Sequence, residues 1–132
     1  MLGPMPYFTP SEVAGRTGFS LDTLRYYERI GLLLDVERTA GGRRRFTERD
    51  VWWLNLLRRL RDTEMPIAEM RHFAELVRAG DEARPARLAL LESHDARIEA
   101  RIARLRECQD QVRVKITHYR ELEAEAAGAA AG

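Results

Sequence analysis

The chain has 132 residues, 33% of them charged, and a formal net charge of only +1. That length suits one small domain plus an assembly element rather than a large enzyme, and the near-neutral balance excludes a generic polybasic binder of nucleic acid or membrane. No apolar run approaches the roughly 20 residues that span a bilayer. The amino terminus lacks a basic start followed by an apolar core. The single cysteine, Cys108, precludes an intrachain disulfide, so the protein is expected to be cytoplasmic.

Positive charge is local, and it begins in the segment Phe8 to Leu33, FTPSEVAGRTGFSLDTLRYYERIGLL. Thr9 suits an N-cap, Pro10 the first helical position, and Glu12 sits three residues after Thr9, which together predict a helix from about Pro10 to Arg16. Gly18 tolerates the left-handed conformation of a tight turn. Ser20 then caps a second helix whose Leu21, Leu24, Tyr27 and Ile30 share one face, and Gly31 closes it. Two short helices joined by a tight turn form a helix-turn-helix pattern, and the second helix is the one expected in a DNA major groove. Its other face carries Thr23, Arg25, Tyr26 and Arg29. Guanidinium groups bond phosphate or guanine bidentately, and a tyrosine hydroxyl is a rigidly held phosphate donor. An ordinary helical hairpin with a charged outer face uses the same pattern, so the flanking sequence matters.

From Leu34 to Phe46 the chain reads LDVERTAGGRRRF. Gly41-Gly42 permit a hairpin turn, and Arg43, Arg44 and Arg45 leave it as a dense positive spot. Following a reading helix directly, this predicts a β-hairpin wing whose tip tracks the phosphate backbone. The candidate DNA-binding residues are thus Thr9, Ser20, Thr23, Arg25, Tyr26, Tyr27 and Arg29 in the helical part, with Arg38, Arg43, Arg44 and Arg45 in the wing.

Thr47 caps a predicted helix to about Asp62, with Val51, Leu54, Leu57 and Leu60 inward and Trp52 and Trp53 expected in core or interface packing. Pro66 starts another helix over Ile67 to Val77, and Gly80-Asp81 breaks the pattern. The residues thereafter carry a sustained heptad seam: Leu88, Leu91, Asp95, Ile98, Ile102, Leu105, Gln109, Val112, Ile116 and Tyr119 step by three and four. A stripe this long needs a partner helix to cover it, so homodimerisation is expected, with Asp95 and Gln109 as polar interruptions that set register. The tail EAAGAAAG after Glu125 has nothing to bury and is expected to fray.

The strings TPSEVAGRTGFSLDTLRYYERIGLL, GGRRRF, TERDV and LRRLRDTEMPIAEM closely resemble the MerR family of bacterial transcription regulators, over about Phe8 to Val77. The resemblance implies a mainly α fold with a winged helix-turn-helix head and second helical pair over residues 7–79. A long coiled-coil dimerisation helix over 82–123, pairing antiparallel, and a flexible tail over 124–132 complete it. It further implies a homodimer that binds a pseudo-palindromic promoter operator in double-stranded DNA and activates RNA polymerase by distorting that DNA. Two positions depart from the family's pattern. Arg43 stands where an aromatic is usual, which makes this wing more basic. Glu64 stands where glycine is usual, which costs energy if the site needs positive φ.

The metal-sensing members of that family carry cysteines near the start and end of the long helix; here the start reads RAGDEARPA. Cys108 lies mid-helix, about 21 Å along the axis from His94 at 1.5 Å per residue. One cysteine with distant His94 and His118 makes no tetrahedral site, so neither metal nor other cofactor is expected. KITHYRELE resembles the helix end of relatives that respond to aldehydes or thiol stress, but their reactive cysteine lies earlier, where this chain has WWLN. Cys108 is therefore a possible sensor and more simply a packing residue, and the effector is unknown. A structural coiled-coil adaptor would use the same heptads but has no need of RYYER or GGRRR. An enzyme is disfavoured by the lack of paired carboxylates, a nucleophile elbow or a phosphate loop.

Overall fold

The computed structural model describes residues 6–132. Helix α1 spans Pro10–Thr17, α2 Leu21–Arg29, strands β1 Glu37–Arg38 and β2 Arg44–Arg45, α3 Glu48–Asp62 and α4 Ile67–Arg78; a 3-10 turn at Asp81–Ala83 leads into α5, Arg84–Ala131. The expected mainly α architecture with a two-stranded wing is what the chain forms.

Local chemistry sets each boundary. The Thr9 hydroxyl accepts from the Glu12 amide while the Glu12 carboxylate accepts from the Thr9 amide, a reciprocal capping box. Thr47 and Asp50 repeat the arrangement at α3, and Ser20 accepts from the Thr23 amide at α2. Gly18 ends α1 at φ +78°, and a Cβ there would lie 2.8 Å from the Arg58 guanidinium, which itself donates to the Gly18 carbonyl at 2.8 Å. Glycine suits the left-handed φ and leaves that guanidinium in place.

Glu64 adopts φ +66°. Its amide donates to the Arg61 carbonyl and that of Met65 to the Leu60 carbonyl, the Schellman closure that normally recruits glycine. The left-handed conformation costs a non-glycine residue about 1–2 kcal/mol, more than an exposed carboxylate recovers from surface contacts. Glu64→Gly is expected to raise stability by about 1 kcal/mol, read as a higher midpoint in urea unfolding; an unchanged or lower midpoint would show the site to be unstrained.

The strands pair antiparallel, Glu37 opposite Arg45 and Arg38 opposite Arg44, and Phe8 bridges Phe46 beside them. One core joins these elements: Val13, Phe19, Leu24, Tyr27, Leu32, Phe46, Leu54, Leu57, Met70 and Phe73 are all buried. Adjacent helical residues point about 100° apart, so only one tryptophan faces inward. Trp53 is buried, stacks on Phe73 with centroids 5.6 Å apart and donates from its indole nitrogen to the Leu32 carbonyl at 2.8 Å. Trp52 is 69% exposed and leaves the expected core role to Trp53.

Two compact units divide at Leu91/Glu92, and the helical run breaks at Gly80 between α4 and the 3-10 turn. The first turns of α5 belong with the head because Leu90 and Leu91, both partly buried, pack against its core. The second unit is the helical stretch from Glu92. There Leu105 is 64%, Val112 58% and Tyr119 55% exposed, with Ile116 also exposed and Ile98 and Ile102 half-buried. The helix continues to Ala131, through the tail expected to fray. Alanine has the highest helix propensity and dominates that tail, which favours the helical backbone there.

Candidate nucleic-acid interface

Helix α2 is amphipathic, and the caps decide which face is free. With Leu24 and Tyr27 in the core, Arg25, Tyr26 and Arg29 face outward and are exposed. Thr23 is half-buried, its hydroxyl accepting from Ser20 at 2.9 Å. Arg25 pairs loosely with Asp22 at 3.4 Å, and the Arg29 guanidinium lies 5.7 Å from the centre of the Tyr26 ring. Both arginines remain exposed. Tyr27, on both the apolar stripe and the DNA-binding set in the sequence, is only 4% exposed and meets Phe19 edge-on with centroids 5.2 Å apart. Burial pushes its phenol above the ordinary tyrosine value, against the opposing pull of the Arg61 and Arg58 guanidiniums. It seats α2 in the core and leaves Tyr26 as the exposed tyrosine of the helix. Thr9 and Ser20 are exposed, with their hydroxyls engaged in capping.

The wing stands beside α2. Its turn is closed by the Thr39 amide on the Arg43 carbonyl at 2.8 Å and the Gly42 amide on the Thr39 carbonyl at 2.9 Å. Its arginines differ sharply. Arg43 is exposed and has no ion pair among the described residues. Arg38 and Arg44 both reach Glu28 of α2, Arg38 also donating to the Gly42 carbonyl at 2.9 Å. Arg45 pairs with Glu37 at 3.0 Å and lies 3.9 Å above the Tyr7 ring. A recess of about 330 Å³ between helix and wing is lined by Arg25, Glu28, Arg29 and Arg44. A second, of about 210 Å³, runs past Thr9, Arg25, Arg44 and Phe46. Concave, arginine-lined surfaces next to an exposed helix face suit a ridge of phosphates.

Residues 8–76 match the family described as MerR HTH family regulatory protein, and residues 51–114 match MerR, DNA binding. An uncharacterized HTH-type transcriptional regulator from Haemophilus influenzae is 36% identical over 117 residues, 89% of this chain and 87% of that protein. The chain belongs to the MerR family. Among solved structures it is similar to HiNmlR, a MerR family regulator lacking the sensor domain, bound to promoter DNA: the TM-score is 0.83 at 35% identity, over 90% of this chain and 94% of that one. A MerR family transcriptional regulator from Listeria monocytogenes aligns with a TM-score of 0.81 at 32% identity, covering 85% of each chain.

This MerR protein is therefore a DNA-binding transcriptional regulator, and its exposed α2 face and wing lie in the matched region. Long-range contacts that residue spacing does not reveal also shape the site. Glu28 joins helix to wing, Arg58 reaches Gly18, and Arg78 donates to the Gly31 and Leu33 carbonyls at 2.6 and 2.7 Å. The charge of Glu28 within RYYER was the only available signal. Among the described residues no cluster of three His, Cys, Asp or Glu could hold a metal ion, and no helix is long and apolar enough to cross a membrane. Cys108 is exposed and His94 is buried.

Proposed function

We propose that the protein binds a pseudo-palindromic promoter operator as a homodimer joined through α5, distorts that DNA, and so alters how RNA polymerase uses the promoter in the cytoplasm. The observation that carries this reading is the exposed apolar stripe of α5 in a chain that also has an arginine-rich reading face. Leu105, Val112, Ile116 and Tyr119 lie in water in the single chain, and a second copy offers the same stripe for an isologous seam. Two reading heads then favour an operator with two-fold symmetry. Bending such a site costs about 1–6 kcal/mol, which contacts at its flanks must offset. Family resemblance supports antiparallel pairing and DNA distortion.

The test is binding to the DNA upstream of the protein's own gene, with footprinting and a bending assay. Arg25 and Tyr26 should separate in it. Arg25→Ala should cost about 1–3 kcal/mol of discrimination if the guanidinium reads a base edge. Tyr26→Phe should weaken all sites alike if the hydroxyl contacts phosphate. Equal losses on footprinted and random duplexes for Arg25→Ala would assign that residue to the backbone. An asymmetric footprint of a single half-site would overturn the dimeric reading.

A further inference from the structure

Glu28 lies among arginines. Its Oε1 accepts from Arg38 Nη2 at 2.6 Å, and its Oε2 accepts from Arg44 Nε. Arg38 and Arg44 stand opposite each other across the hairpin. Glu28 and Arg44 are each only 26% exposed at the side chain, so water screens their attraction less than it does a surface pair. Arg43, one residue from Arg44, has no such partner among the described residues. The carboxylate also lines the recess with Arg25 and Arg29, where a phosphate would otherwise find three guanidiniums. In charge and oxygen geometry it resembles the phosphate those arginines would bind.

We infer that Glu28 is a specificity-determining residue, an internal anion that withholds Arg38 and Arg44 from the phosphates of arbitrary DNA and fixes the wing against α2. Non-specific binding is almost wholly electrostatic, whereas operator binding adds base-edge contacts. A carboxylate that engages two wing arginines, cancelling one of their two charges, therefore weakens non-specific binding by a larger share than operator binding. The inference rests on the operator reading only for that comparison; the charge effect itself concerns any duplex.

The experiment uses the full chain, a 30-base-pair random duplex and the native upstream DNA in salt titrations, with about 30 chosen to hold a whole footprint. Glu28→Gln keeps the shape and removes the charge. On the random duplex it should bind about tenfold tighter at low salt, with a salt slope steeper by about 0.9 to 1.8 per protomer, for one or two added phosphate contacts. The preference for upstream DNA should fall. Adding Arg38→Ala and Arg44→Ala to Glu28→Gln should return the slope to the wild-type value. An unchanged or shallower slope in Glu28→Gln would overturn the inference and make the carboxylate a scaffold that holds the arginines out to DNA. A second pair of variants leaves Glu28 in place. Arg43→Ala in the wild-type background should reduce the slope by about 0.9 per protomer, whereas Arg38→Ala should barely change it; equal reductions would overturn the inference as well. Should wild-type protein show no preference for its upstream DNA, the operator reading fails while the random-duplex measurements still decide the role of Glu28.

Discussion

In the proposed α5-joined dimer, Leu105→Asp combined with Val112→Asp should separate the protomers without unfolding the chain. Both side chains are largely exposed in the single chain, so the substitutions remove little packing from the folded protomer. In the paired state they put four carboxylates where four apolar side chains would be buried. Burying a Val or Leu side chain contributes about 1.5–3 kcal/mol, so the dimer should weaken by at least about 6 kcal/mol, roughly four decades in Kd. Sedimentation equilibrium reads the assembly and circular dichroism the retained helix. Operator affinity should collapse together with dimerisation, since each head would then bind its half-site alone. An unaltered sedimentation profile would remove α5 as the dimer seam and send the search to other exposed apolar groups, Trp52 first.

What the amino-acid order made legible was the part governed by neighbours. Caps act across three residues, so Thr9, Ser20 and Thr47 could be named as helix starts, and each accepts the backbone bond expected of it. Glu64 is legible in the same way: an unusual residue at a turn position, found at positive φ. Tyr26 and Tyr27 were harder. Spacing placed Tyr27 on the apolar stripe, but its chemistry kept it among the DNA contacts, and only the packing against Phe19 decides. The tail is helical to Ala131, a conformation that alanine's propensity favours although nothing covers it. Contacts between residues far apart in sequence were out of reach. Nothing in spacing pairs Arg38 and Arg44 with Glu28, or Arg78 with the carbonyls of Gly31 and Leu33.

Trp53→Ala should be the most damaging single change in the head. The residue fills the core against Phe73 and donates to the Leu32 carbonyl. Loss of a buried tryptophan side chain costs about 3–5 kcal/mol, a large part of the roughly 5–15 kcal/mol that a domain possesses. Trp53→Phe separates the two contributions. It keeps an aromatic ring against Phe73 but strands the Leu32 carbonyl, a cost of about 1–3 kcal/mol. Urea unfolding measures both. The connector from α2 to the wing has the Gly31 and Leu33 carbonyls held by Arg78 and the Leu32 carbonyl by Trp53. Trp53→Phe should therefore loosen the wing before the global transition, seen as faster amide exchange across Leu32 to Arg38. A variant as stable and as slowly exchanging as wild type would show the indole donor to be dispensable.

The Arg58 contact bears on where this DNA reader ends as an evolutionary and engineering unit. The two helices that read as a self-sufficient motif are joined by a turn whose glycine carbonyl is held by a guanidinium forty positions downstream, which a side chain at Gly18 would push aside. A transplant of Phe8 to Phe46 alone would carry the reading face and leave behind the brace that sets the angle between its helices. The smallest portable reader therefore includes α3. Exchange of reading helices between relatives should succeed when the residue at position 58 travels with the turn, because the two positions specify one joint.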